Sequence, residues 1–95
     1  MSETIDKAVA ALNGRLEDGF DGTAQFDIED EGSIVVDADG AREGTADADV
    51  TLTSDAATFQ EILSGDLDAT SAFMQGRLKV DGDMGAAMRL GSALS

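Results

Sequence analysis

The spacing of apolar positions along the chain changes several times, and each change marks a new element. Ile5, Val9, Leu12 and Leu16 fall on one helical stripe with Ala8 beside them, while Glu3, Asp6, Lys7 and Arg15 face away. This predicts an amphipathic helix to about Asp18, capped by Thr4 or Ser2 and stopped at Gly19. From Phe20 the period becomes two. Phe20, Gly22, Ala24, Phe26 and Ile28 alternate with Asp21, Thr23, Gln25, Asp27 and Glu29, as in a half-buried strand. Asp30, Glu31 and Gly32 form a turn short enough for an antiparallel hairpin with a second strand, Ser33 to about Asp37. Asp39-Gly40 reads as another turn, and the polar stretch from Gly40 to Asp47 either adds a strand or forms a loop. Ala48, Val50 and Leu52 then alternate with Asp49, Thr51 and Thr53, so three consecutive strands read as a meander with one wet, acidic face.

The second half is more helical. Ser54 or Asp55 can cap a helix whose buried stripe is Phe59, Ile62 and Leu63 and whose end is Gly65. Asp68 or Thr70 can open a short helix through Gln75. A strand from Arg77 to Asp81 points Leu78 and Val80 one way and Arg77, Lys79 and Asp81 the other. After a turn at Gly82, Asp83 caps a last helix from Met84 to about Leu94, in which Met84, Ala87 and Met88 recur at helical spacing. The order αβββααβα predicts a single α+β domain over residues 1–95, with helices on one face of a mainly antiparallel sheet. The strand at 77–81 lies between two helices that turn flexible or aromatic apolar groups to the same side.

Composition narrows the chemistry. A chain of 95 residues has a modest core, and eleven glycines with only four aromatics, all Phe, make it thinner. The absence of cysteine removes disulfides, thiolate catalysis and sulfur-ligated metals. The absence of histidine removes the commonest general base and transition-metal ligand. Twenty acids against six bases give a net charge of −14, which repels nucleic-acid backbones and anionic membrane surfaces. Such acidity fits either a saline habitat or an ordinary acidic cytoplasmic protein. The N-terminal MSETIDKAVAAL has no secretory pattern, no long apolar run predicts stable membrane insertion, and the C-terminal GSALS matches no lipidation or retention signal. The expected location is the cytoplasm.

The acidic clusters do not resolve into sites. Asp37-Ala38-Asp39-Gly40 begins like a calcium loop, but Ala41, Arg42 and Ala48 stand where that motif needs Asp or Asn, Gly and Glu. Asp81-Gly82-Asp83 reads as a turn followed by a helix cap. Gly82 to Gly85 has the spacing of a nucleic-acid backbone clamp, but it carries a carboxylate where positive charge is needed. Every predicted apolar face is free of Asp and Glu, which argues against an enzyme with buried carboxylates. No histidine can activate a Ser or Thr, and Lys7 and Lys79 are predicted to face outward. No catalytic residue, metal ligand or cofactor is expected. The Met and Phe stripe is either ordinary core or the wall of an adaptable apolar cavity. Gln75 is either a polar group at that wall or a partner for backbone groups at its helix end.

The stretch Ser71-Ala-Phe-Met-Gln-Gly-Arg-Leu-Lys-Val-Asp-Gly-Asp-Met-Gly-Ala-Ala-Met-Arg-Leu90 closely resembles the C-terminal signature of the sterol-carrier-protein, or non-specific lipid-transfer, domain. Asp49 to Asp55, then Phe59, Ile62, Leu63 and Ser64-Gly65, resemble the preceding strand and helix of that family, whereas the N-terminal half agrees mainly in element order. The resemblance implies a five-stranded sheet with helices over one face and an apolar tunnel between them. The residue pattern supplies four strands, and the region 40–47 is the candidate for the fifth. It further implies binding of a sterol-like lipid, fatty acid, fatty acyl group or prenyl lipid, without catalysis. Carried onto this chain, the ligand-binding positions are Phe59, Ile62, Leu63, Phe73, Met74, Gln75, Leu78, Met84 and Met88. The alternative is an accessory module for an enzyme of lipid or quinone metabolism, with the cavity secondary.

Overall fold

Helix α1 (Glu3–Arg15) buries Ile5 and Leu12 of its apolar stripe together with the adjacent Ala8; Val9 is half-buried, and Leu16 is buried just past the helix end. The computed structural model describes residues 3–17 and 19–94. Thr4 lies within the helix and does not cap it, while Ser2 and Asp18, read as cap and end, lie outside the described residues. Strand β1 (Ala24–Ile28) buries Ala24, Phe26 and Ile28 and leaves Gln25 and Asp27 half-buried. It starts later than the alternation from Phe20 predicts, because Gly22 sits at φ 114° and turns the chain out of extended geometry. Phe20 is nonetheless buried in the core.

β1 pairs antiparallel with β2 (Gly32–Asp37), which sets Phe26 opposite Ile34. The polar stretch after Asp39 supplies the fifth strand, β3 (Gly40–Glu43), at the edge of the sheet. With so few apolar side chains, β3 is held by α1. Asn13 donates its side-chain amide to the Ala41 carbonyl at 3.0 Å and accepts from the Ala41 N–H at 2.8 Å.

The meander does not continue. The sheet order is β3-β2-β1-β4-β5, and β4 (Val50–Ser54) lies parallel beside β1, with Leu52 opposite Phe26. A tight turn can join only antiparallel neighbours, so the parallel pair requires the chain to travel back from the far edge. The connection is fastened on the way by the Ala46 N–H donating to Gln25 Oε1 at 3.0 Å and the Asp49 N–H to the Thr23 carbonyl at 2.8 Å. The last strand, β5 (Lys79–Gly82), pairs antiparallel with β4. The sheet's polar face carries a small network in which Gln25 and Ser33 both donate to Asp27, each at 2.7 Å.

The helices pack on the other face. α2 (Ala56–Ser64) is capped by Asp55, whose carboxylate accepts from the Thr58 N–H at 2.7 Å, and ends at Gly65 in the left-handed region. Its Phe59 meets Phe26 of β1 with ring centroids 5.1 Å apart. α3 (Ala69–Met74) and α4 (Met84–Leu94) complete the layer. Arg15, at the end of α1, donates to the Leu94 carbonyl at 2.5 Å and the Leu63 carbonyl at 2.6 Å. One guanidinium thereby serves the unsatisfied C-terminal carbonyls of two helices, where positive charge is favoured.

Candidate functional site: an apolar cavity under α3 and α4

The C-terminal elements are set by a series of caps. Asp68 opens α3 by accepting from the Thr70 N–H at 2.9 Å. Gln75 and Gly76 close it, and the Arg77 and Leu78 N–H groups both donate to the Ala72 carbonyl at 2.9 and 3.2 Å. The chain therefore folds back beneath α3 into β5, where Val80 pairs with Leu52 of β4. Gly82 then turns the chain at φ 112°, and a Cβ there would lie 2.4 Å from the Asp49 carbonyl oxygen. No side chain fits that approach. Asp83 starts α4 by accepting from the Gly85 N–H at 2.8 Å.

A cavity of about 240 Å³ lies between these elements. Leu52, Leu78 and Val80 come from the sheet side, Ala69, Thr70, Phe73 and Met74 from α3, and Met84, Ala87, Met88 and Gly91 from α4. The α4 residues follow the i, i+3, i+4, i+7 rule for one helical face. Among the described residues Thr70 is the one polar side chain of the lining, and none of the lining residues is charged. The volume falls between the roughly 150 Å³ hollow that takes up benzene and the roughly 300–1,000 Å³ typical of ligand sites.

The mouth is as telling as the interior. Among the described residues the exposed large apolar side chains are Phe73 (42%), Met74 (80%), Met84 (45%) and Met88 (65%). All four line this one cavity. Among the described residues nearly all the other large apolar side chains join one core, while Val35 is buried outside it. Among the described residues the lining contains no acid or base that exchanges a proton at neutral pH, and no acidic cluster is arranged to hold a metal ion. The perturbed carboxylates lie elsewhere. Asp37 is held below the ordinary range by hydrogen bonds from Arg42 and Asp39, and Asp55 by those from Thr58.

Of the ligand-binding positions read from the sequence, the structure gathers Phe73, Met74, Leu78, Met84 and Met88 around the cavity. The other four lie outside its lining. Phe59 is fully buried under α2 against Phe26. Leu63 lies along a separate groove between α1 and α2, with Thr4, Lys7 and Ala11. Ile62 faces a second, smaller hollow of about 150 Å³. Gln75 is exposed at the end of α3. Six lining residues were not identified from the sequence: Leu52, Ala69, Thr70, Val80, Ala87 and Gly91. Val80 alternates with Leu78, which precedes β5, and Ala87 and Gly91 share a helical face with Met84 and Met88, so periodicity carries a signal for these. Ala69 and Thr70 carried none.

The model of the SCP-2 sterol transfer family matches residues 3–95. The chain belongs to this family. Against hydroxysteroid dehydrogenase-like protein 2 of Xenopus laevis, this SCP-2 domain is 31% identical over 98 residues, covering 95% of the chain and 24% of that protein. Against peroxisomal multifunctional enzyme A of Dictyostelium discoideum it is 43% identical over 63 residues, covering 66% of the chain and 13% of that protein. The chain thus spans only a minor part of the length of these curated relatives. Among solved structures, sterol carrier protein-2 of Aedes aegypti in complex with palmitate superposes with a TM-score of 0.77 at 24% identity, over the full length of both chains. Sterol carrier protein 2-like 2 from the same mosquito gives 0.78 at 20% identity over 94% of each. The likeness to the mosquito proteins establishes the fold: a five-stranded, mostly antiparallel sheet with helices on one face. The SCP-2 family is one of lipid transfer and not of catalysis.

Proposed function

We propose that residues 1–95 form one carrier domain that holds an apolar lipid in the cavity between α3, α4 and the β4–β5 side of the sheet. Phe73, Met74, Leu78, Met84 and Met88 are its principal contacts. The observation that carries this reading is that the four large apolar side chains exposed among the described residues converge on one hollow. In water those surfaces are a cost, and an acyl chain or ring system that covers them gains about 0.8 kcal/mol per methylene buried. Methionine adapts to the shape offered, and a lining with a single hydroxyl discriminates little between apolar ligands. A fatty acid, of the class seen with the Aedes aegypti protein, a fatty acyl group, a sterol-like lipid and a prenyl lipid all satisfy this chemistry.

The net charge of −14 favours uptake from neutral or zwitterionic surfaces and opposes polyanionic head groups. Among the described residues no helix is long and apolar enough to cross a membrane, in keeping with a carrier that docks and leaves. We place that work in the cytoplasm, a placement that fractionation of cells expressing the tagged protein tests directly. A second reading is supported by the minor share of the curated relatives that the chain matches. In it, the domain presents its lipid to an enzyme of lipid metabolism.

Native mass spectrometry of freshly purified protein, followed by lipid extraction, tests the carrier reading. A co-purified species of lipid mass that disappears on extraction is the expected result. Protein that carries no lipid, and takes up neither a fluorescent fatty acid nor a fluorescent sterol, overturns it.

A further inference from the structure

We propose that the contact between Ala69 and Gly91 sets how long an acyl chain the domain accepts. The proposal rests on the carrier reading and goes beyond it by naming the residues that limit ligand length. Both residues line the main cavity, and both also line the second hollow of about 150 Å³, whose apolar wall is Ile62, Leu67 and Leu94. The two hollows are therefore neighbours on either side of one point where α3 meets α4. The meeting is close: a Cβ built on Gly91 would stand 3.4 Å from the Ala69 Cβ. The two smallest side chains face each other there, and a single added methyl group would fill the remaining gap.

A chain entering from the methionine-rimmed mouth meets this constriction after passing through the main cavity. The element that yields is α3. Its six residues bury only Ala72, whereas α4 buries Ala86, Ala87, Leu90 and Leu94 and is tied to Arg15 at its end. A small outward shift of α3 joins the two hollows, and the far end of the chain then reaches Ile62, Leu67 and Leu94. Asp68 borders the second hollow, so the methyl end enters it and a carboxylate head stays at the mouth. This also gives Ile62, outside the main cavity, a place on the ligand path.

The test is the ratio of octanoate to palmitate dissociation constants, measured by calorimetry on the full chain. Both ligands carry the same head group, so charge effects cancel in the ratio. The native protein is expected to prefer palmitate. Gly91→Ala, which favours the helix and adds one methyl group at the constriction, lowers that preference by about fourfold for each methylene kept out of the second hollow. Ala69→Gly combined with Gly91→Ala restores it. Thermal melts establish that each variant is folded. An equal affinity of the native protein for both acids, a ratio unmoved by Gly91→Ala, or a double variant that fails to recover the preference overturns the proposal while leaving the carrier reading intact. Absence of binding by both acids to the native protein overturns the length limit, and it overturns the carrier reading as well when a fluorescent sterol is not taken up either.

Discussion

Replacing Met88 by Asp separates ligand binding from folding because the residue is 65% exposed on α4 and yet lines the cavity. Only about a third of the side chain is buried in the free protein. Full burial of a methionine contributes about 1.5–3 kcal/mol, so the packing lost in the fold is at most about 1 kcal/mol. Lower helix propensity adds roughly 0.5 kcal/mol. A domain with a stability of about 5–15 kcal/mol survives this change. Binding is affected more severely. The exposed two thirds of Met88 is the part a ligand would cover, and its loss removes about 1–2 kcal/mol of apolar contact. The ligand would also have to strip water from a carboxylate that has no charged partner among the lining residues, at a cost of at least about 2 kcal/mol. Together these weaken affinity by about a hundredfold or more. Titration with a fluorescent fatty acid measures the loss, a thermal melt reports the fold, and Met88→Leu is the volume-matched control. A folded Met88→Asp protein that binds within threefold of the native affinity would refute the placement of the ligand against α4.

Phe59→Ala should cost about 3–5 kcal/mol in urea denaturation, because the ring is fully buried against Phe26; an effect confined to binding would mean that Phe59 faces ligand and not core. Gly82→Ala should destabilise by roughly 1–3 kcal/mol through backbone strain, since φ is 112° and the new Cβ meets the Asp49 carbonyl; an unchanged melting temperature would contradict that geometry. Affinity for an uncharged lipid should stay flat between about pH 5 and 8, where histidine is the usual switch, because the chain has no histidine and the cavity no titratable group. Asp55 has a folded-state pKa below the ordinary carboxylate value, owing to its hydrogen bonds from Thr58, so its stabilising contribution is present at neutral pH and fades as pH falls through the lowered value. The melting-temperature gap between the native protein and Asp55→Ala should therefore narrow in acid, and a gap that widens there would reverse the sign.

Where side chains are large and regularly spaced, the sequence discloses the elements. The alternation through Ala24, Phe26 and Ile28 and the caps at Asp55, Asp68 and Asp83 are local signals with local consequences. Strand β3 is less visible because Gly40 to Glu43 contains only Ala41 as an apolar side chain and depends on Asn13, distant in sequence. The parallel pairing of β1 with β4 is hidden for another reason. Turn chemistry specifies hairpin neighbours, whereas a crossover is chosen by what the whole sheet can bury. At the cavity, the methionines and Phe73 stand out as bulk, but Ala69 and Gly91 matter because they occupy so little space. Hydrophobic pattern does not register a missing side chain. Phe59 shows the reverse, since a large apolar residue on a helix face fills either a core or a wall, and only packing against Phe26 distinguishes the two.

The hydrogen bond from Arg15 to the Leu94 carbonyl ties the earliest helix to the last residue of α4 across 79 positions of sequence. During synthesis, then, the oily rim of Met84 and Met88 leaves the ribosome before the tie that seats their helix can form. The wall that α4 gives the lipid compartment is therefore fastened by residues from opposite ends of the domain, and neither end alone can seat it.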